Sequence, residues 1–154
     1  MRSLDSLLDE IHSFIIHKDK IQPAVSSVSV GWHLEHILLV IVKTVEAVSK
    51  SNPNNYQRNF NFIRLILFTI NRFPRGKGKA PAVVQPSLTV QSDLNALLDD
   101  AKNALEILKN THPNQYYKHP VFGILNKKNT YIMTDIHIRH HLSIIRDIVS
   151  SVAS

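Results

Sequence analysis

Cysteine is absent from this 154-residue chain. Disulfides therefore contribute nothing to the fold, and no thiolate of the chain itself binds a metal or attacks a substrate. Thiol chemistry here requires a thiol brought in from outside. Long apolar runs are missing too. None reaches the roughly 20 residues of a membrane span, and the richest, Ile37 to Val42, stops at Lys43. The first ten residues carry early acids and no small-residue cleavage site, which argues against a signal peptide. Cytoplasm is the expected location and no membrane partner is expected. There is no internal repeat, and strand-like alternation is confined to Ala82-Val-Val84.

The net charge is +6, but the cations are scattered. Only Arg72-Phe-Pro-Arg-Gly-Lys-Gly-Lys79 is locally dense, and no nucleic-acid recognition motif accompanies it. Nucleic acid is not an expected partner. The 44% hydrophobic content is that of a globular chain. The length suits one domain, spanning 1–154, with a sizeable core. Histidine is the abundant oddity, with nine residues. It is the commonest metal ligand and a near-neutral acid–base group.

Apolar spacing predicts five helical segments: about 3–17, 27–50, 54–71, 92–110 and 129–151. The first carries Leu4, Leu7, Leu8, Ile11 and Ile15 on one stripe. The second begins near Ser27 or Ser29, contains Gly31, and is apolar on more than one side. Phe62, Leu65, Ile66 and Thr69 form the expected inner face of the third, with Arg58 and Arg64 facing elsewhere. Ser92 is the expected cap of the fourth. The segments 73–89 and 111–127 read as loops, the first too proline-rich for a regular helix. The expected fold class is all-α, a helical bundle.

The last helix holds His137 and His141, four residues apart. Such residues lie about 40° apart on the helix surface and one turn along it. Ile138, Ile144, Ile145 and Ile148 share that side, so both imidazoles point toward the core. A buried imidazole needs a partner, since leaving one unmet costs about 1–3 kcal/mol. A metal ion answers for both rings at once; backbone carbonyls or buried water answer for them separately. A third ligand has to come from elsewhere, and the second helix offers His33 and His36. Spacing does not choose between them. Glu35 lies on another side and reads as solvated. His140 lies about 100° from its neighbour His141, toward Asp147, and reads as a residue beside the metal or at the surface.

In combination these residues resemble the DinB-like superfamily, also called the DinB/YfiT-like metalloenzymes. The likeness is closer to one branch of it, which has three marks. One is a Pro-Arg-Gly-x-x-x-Ala-Pro loop, here Pro74 to Pro81. The others are a His-Pro-x-Phe-Gly turn, here His119 to Gly123, and a His-x-x-His-His helix, here His137 to His141. The resemblance implies an up-down-down-up four-helix bundle with an extra short helix or long loops. It implies a metal site made of His36, His137 and His141. His33, His140, His119 and Arg75 become candidates for residues beside the metal or in contact with substrate.

Three histidines leave coordination positions open, and all-nitrogen ligation suits zinc, nickel or iron. The resemblance further implies a metal-dependent transferase acting on a small-molecule substrate with an external low-molecular-weight thiol. Hydrolysis by water is a second version of the same class. It also makes a homodimer plausible. No catalytic residue is singled out. The alternative function is a non-catalytic metal-binding or nucleic-acid-associated helical module. The Arg72–Lys79 loop either binds an anionic group or is simply solvated. His119 and Phe122 either line the site or set a turn. Tyr116 and Tyr117 read as rim packing, and Trp32 as packing.

Overall fold

The computed structural model of the chain describes residues 3–75, 84–86 and 93–151. Helix α1 (Leu4–Phe14) starts where the Ser3 hydroxyl accepts from the Ser6 N–H. Helix α2 (Val30–Ser49) is capped in the same way by Ser29, which accepts from the Trp32 N–H at 3.2 Å. These caps satisfy N–H groups that have no partner inside the helix. Gly31 falls in the first turn of α2, and its N–H bonds the Lys18 carbonyl at 2.7 Å. Helix α3 (Phe62–Ile70) ends on Asn71 in the left-handed conformation, φ 54°. Helix α4 (Leu94–Asn110) is capped by Asp93. Strands β1 (Tyr116–His119) and β2 (Gly123–Asn126) pair antiparallel, with His119 opposite Gly123. Helix α5 (Lys127–Ser151) follows at once, and the Asn126 side chain accepts from the Asn129 N–H.

The main core is built by α1, α2, α4 and α5. Leu34, Ile37, Leu38 and Ile41 of α2 are at most 1% exposed and meet Leu98, Leu105, Leu142 and Ile145 in the same cluster. Each such side chain contributes about 1.5–3 kcal/mol by leaving water. A second, smaller core joins Phe122, Leu125 and Met133 to Leu67, Phe68, Phe73 and Tyr117. It fastens the hairpin and α3 against α5.

The fold class expected from the sequence is overturned. The described residues form five helices and a two-stranded antiparallel sheet, a mixed α/β arrangement rather than an up-down-down-up four-helix bundle. The reason lies in two segments. The stretch 111–127, read as a loop, folds into a hairpin around Pro120, Val121 and Phe122, closed by Gly123 at φ 70°. Gly123, opposite His119 where the second strand begins, takes a left-handed φ that glycine adopts without strain.

The expected helix 54–71 splits into a short 3₁₀ turn at Pro53–Asn55, an extended stretch and the nine-residue α3. Its apolar stripe was also misassigned. Phe62, Leu65 and Ile66 are exposed, while Leu67 and Phe68 reach the second core. Arg64 turns inward. Its guanidinium donates to the carbonyls of Ile124, at 2.8 Å, Phe122 and Asn59. It also donates to the Asn59 side-chain oxygen, which accepts in turn from the Ile124 N–H. The cap assigned to Ser92 lies outside the described residues, as do Ala82 and Val83.

A Cβ added at Gly123 would collide with the Asn59 amide while the backbone holds a left-handed φ. Gly123→Ala should therefore cost about 1–3 kcal/mol. At about 2–4 °C per kcal/mol for a chain of this size, the melting temperature should fall by several degrees. An unchanged melting curve would show that the hairpin is not clamped in this way.

Candidate metal centre

Helices α2 and α5 pack against each other and place their histidines face to face. One candidate ligand nitrogen from each of His36, His137 and His141 lies within 4.8 Å of the others, a cluster that can hold a metal ion. His36 and His141 are 5% and 9% exposed. The ring centroids of the three are 4.7–5.1 Å apart. The Nε2 atoms of His36 and His137 are 3.3 Å apart. Two nitrogens bound to one ion at about 2.0–2.1 Å and a tetrahedral angle are separated by roughly that distance.

Proton positions follow from the partners. His36 Nδ1 lies 2.6 Å from the Val84 carbonyl oxygen. A carbonyl only accepts, so Nδ1 carries the hydrogen and Nε2 presents a bare lone pair to the cluster. The stacked Trp32 indole, 5.2 Å away at 20°, holds this ring from its face. His141 Nδ1 is 3.0 Å from His33 Nδ1, and His33 Nε2 is 3.0 Å from the Ser26 hydroxyl. The turn Gln22–Ser26 positions that hydroxyl, with the Ser26 N–H bonded to the Gln22 carbonyl. A relay with hydrogens on His141 Nδ1 and His33 Nε2 satisfies each of these contacts and leaves His141 Nε2 bare. Metal-binding histidines are commonly oriented this way, through a hydrogen bond from the far nitrogen.

His137 completes the fit test. Its Nδ1 is buried and has no hydrogen-bond partner among the described residues. Without an ion, its Nε2 must donate to the lone pair of His36, and Nδ1 is left as a buried acceptor with nothing to accept. With an ion on Nε2, the three lone pairs share one positive centre. The donor set therefore fits a divalent transition metal.

Electrostatics point the same way. Burial, then the neighbouring His36, His140 and His119 rings, hold His137 well below 6.5. Burial and the surrounding imidazoles do the same to His141. Burial lowers His36, against the pull of the Val84 carbonyl. Burial, then His36 and His140, push His33 down to about 4. The rings stay neutral near pH 7, the form that binds metal.

The chain belongs to the DUF1569 family. The model of that family, described as a protein of unknown function, matches residues 3–148. The comparison with curated proteins and that with solved structures give no match. The family's description assigns no activity, so function has to be read from the site.

The other candidates separate by position. His33 sits behind His141 rather than in the cluster. His140 packs edge-on against His141, centroids 5.0 Å apart, and faces a cleft on the other side. His119 stacks on Phe122 at 4.4 Å, and its Nδ1 accepts from the N–H groups of Val121 and Phe122. It thus sets the turn, and it lies close enough to His137 to help hold that ring in its neutral form. Burial pushes it down to about 4. Arg75 binds Asp147 at 2.7 Å and Ser143 at 2.9 Å, away from the three rings.

Glu35, read from the sequence as solvated, is 5% exposed. Sequence reasoning missed the Val84 carbonyl and the Ser26 hydroxyl altogether. A backbone acceptor leaves no side-chain signature, and one serine in a serine-rich stretch does not stand out.

The sign of the pH dependence is fixed by these shifts. A histidine lowered in the folded state takes up its proton only on unfolding, so its contribution is complete above 6.5 and fades as pH falls toward the folded value. For His33, between 6.5 and about 4, the loss from pH 8 to pH 5 is on the order of 2 kcal/mol. Denaturant titrations of the metal-stripped protein should show stability falling across that window. A flat profile would mean the imidazoles are not buried as described.

Proposed function

We propose that the chain is a metal-dependent enzyme whose divalent ion is held by Nε2 of His36, His137 and His141. We further propose that it transfers a group between a small-molecule substrate and an external low-molecular-weight thiol. The observation that carries this reading is the convergence of three neutral imidazoles, with His36 locked by Val84 so that its lone pair faces the other two. The likeness of His36, His137 and His141 to the ligand set of the DinB-like superfamily supports it at the level of the site. The absence of cysteine fits a thiol supplied from outside.

An ion held by three nitrogens supplies a Lewis acid with open positions, which makes a thiol or water give up its proton near neutral pH. The chain's residues do the rest. Val84 and the His33–Ser26 relay hold two of the rings in place. Trp32 covers one face of His36 and keeps water from it. His119 has its Nδ1 occupied by two backbone N–H groups, so its hydrogen sits on Nε2 as a neutral donor for substrate. Burial, which pushes it down to about 4, keeps it neutral near pH 7.

Protein purified without an affinity tag should carry, or take up on reconstitution, one equivalent of zinc, nickel or iron. His137→Ala should abolish that uptake. His33→Phe should weaken it about 10–100-fold, the usual cost of losing a residue that orients a ligand. Thiol transfer to a generic electrophile should appear only with metal and vanish in His141→Ala. Metal that stays substoichiometric after reconstitution, or unchanged metal content in His137→Ala, would refute the assignment.

A further inference from the structure

A cleft of about 340 Å³ runs between the C-terminal end of α3 and α5, beside the histidine cluster. Ile70, Phe73 and Ile136 give it an apolar floor, and Arg72, Arg75, Arg139 and His140 give it a polar wall. That size and lining suit a small organic molecule with one polar end.

The guanidinium groups are not equivalent. Arg139 is committed: it binds the 4%-exposed Asp135, at 2.5 Å, and the Asn71 side chain, at 2.6 Å, tying the end of α3 to α5. Arg75 bridges Asp147 and Ser143, both outside the core. The Arg72 side chain has no hydrogen-bond or ion-pair partner among the described residues. Among the described residues three guanidinium groups thus face two carboxylates, an excess of one positive charge. Arg75 and Arg72 also stand close enough to His140 to add to burial in keeping its ring neutral. Planar guanidinium groups match carboxylate and phosphate oxygens with paired N–H bonds, which a solvated lysine does not do.

The cleft also has an address. Its His140 wall packs edge-on against the His141 ring, and Ile136 precedes His137 in the chain. The geometry points to the cleft as the seat of the anionic end, a carboxylate or a phosphate, of an otherwise apolar substrate, held by Arg72 and Arg75. The sequence points to the basic loop Arg72 to Lys79 as a whole, either as an anion site or as a solvated segment. Of its described residues, Arg72, Phe73 and Arg75 line the cleft. The wall opposite comes from α5, which no inspection of the loop suggests.

This inference rests on the metal-enzyme reading for what the anion is bound for, not for whether it binds. Calorimetry with benzoate, phenyl phosphate and uncharged benzamide tests it on metal-loaded and metal-stripped protein, with His140 ring signals followed by NMR. At least one anion should bind and shift the His140 signals, and benzamide should not. The better of the two names the anionic group. The double variant Arg72→Gln/Arg75→Gln should lose about tenfold in affinity, the scale of one lost charge-assisted hydrogen bond. Arg58→Gln, a charge change elsewhere, should lose none.

Failure of both anions to bind, equal binding of benzamide, or full affinity in the double variant would overturn the assignment. The two readings fail separately. Anion binding without metal uptake sinks the metal reading alone, and metal uptake without anion binding sinks the cleft alone.

Discussion

The hydrogen bond from His36 Nδ1 to the Val84 carbonyl decides how the centre is wired. An imidazole in a buried cluster can present either nitrogen, and with six such rings nearby the proton positions would otherwise be degenerate. Every one of the six (His33, His36, His119, His137, His140, His141) is pushed toward the neutral form. A carbonyl that can only accept removes the ambiguity at His36. The His33–Ser26 relay does the same for His141, at one more step from the backbone. What remains is His137, whose outer nitrogen is buried with no partner among the described residues and whose inner nitrogen faces its neighbour. Such a cluster is costly as a packing solution and well suited to a cation.

That cost is carried by the rest of the fold. The core of α1, α2, α4 and α5 is almost wholly aliphatic around the histidines. The hairpin and α3 form a second small core with Met133 of α5, and Tyr117 packs against both cores. The Arg64 and Arg139 contacts, to the hairpin turn and to the end of α3, add polar bonds to the apolar contacts that fasten this second unit. This division leaves α5 exposed to both chemistries. One face carries the ligand pair and another, through His140, the cleft. An ion that binds only the folded chain would add its binding free energy to stability, which ties the fold's acid sensitivity to metal supply.

Much of this was legible in the sequence, and the limits have physical causes. Four of the helices were visible because each buries a continuous stripe, as Leu7, Leu8 and Ile11 do in α1. The histidine cluster was visible because His137 and His141 share a face with buried isoleucines. The choice of His36 over His33 came from the resemblance alone, since both rings are buried and lie on neighbouring turns. The hairpin was hidden because each strand is four residues long and only half-buried, too short for alternation to register. The third helix was misread because its longer apolar stripe faces outward while Arg64 makes the inward contacts. Glu35 was misread because a helix packed on several sides has no solvated face to assign a carboxylate to.

Anomalous difference density from a crystal of the metal-loaded protein would locate the ion among the histidines. One ion is expected about 2.0–2.1 Å from Nε2 of His36, His137 and His141, with at least one further position open. An ion ligated through His33, or bound only at the surface with those three rings uninvolved, would contradict it.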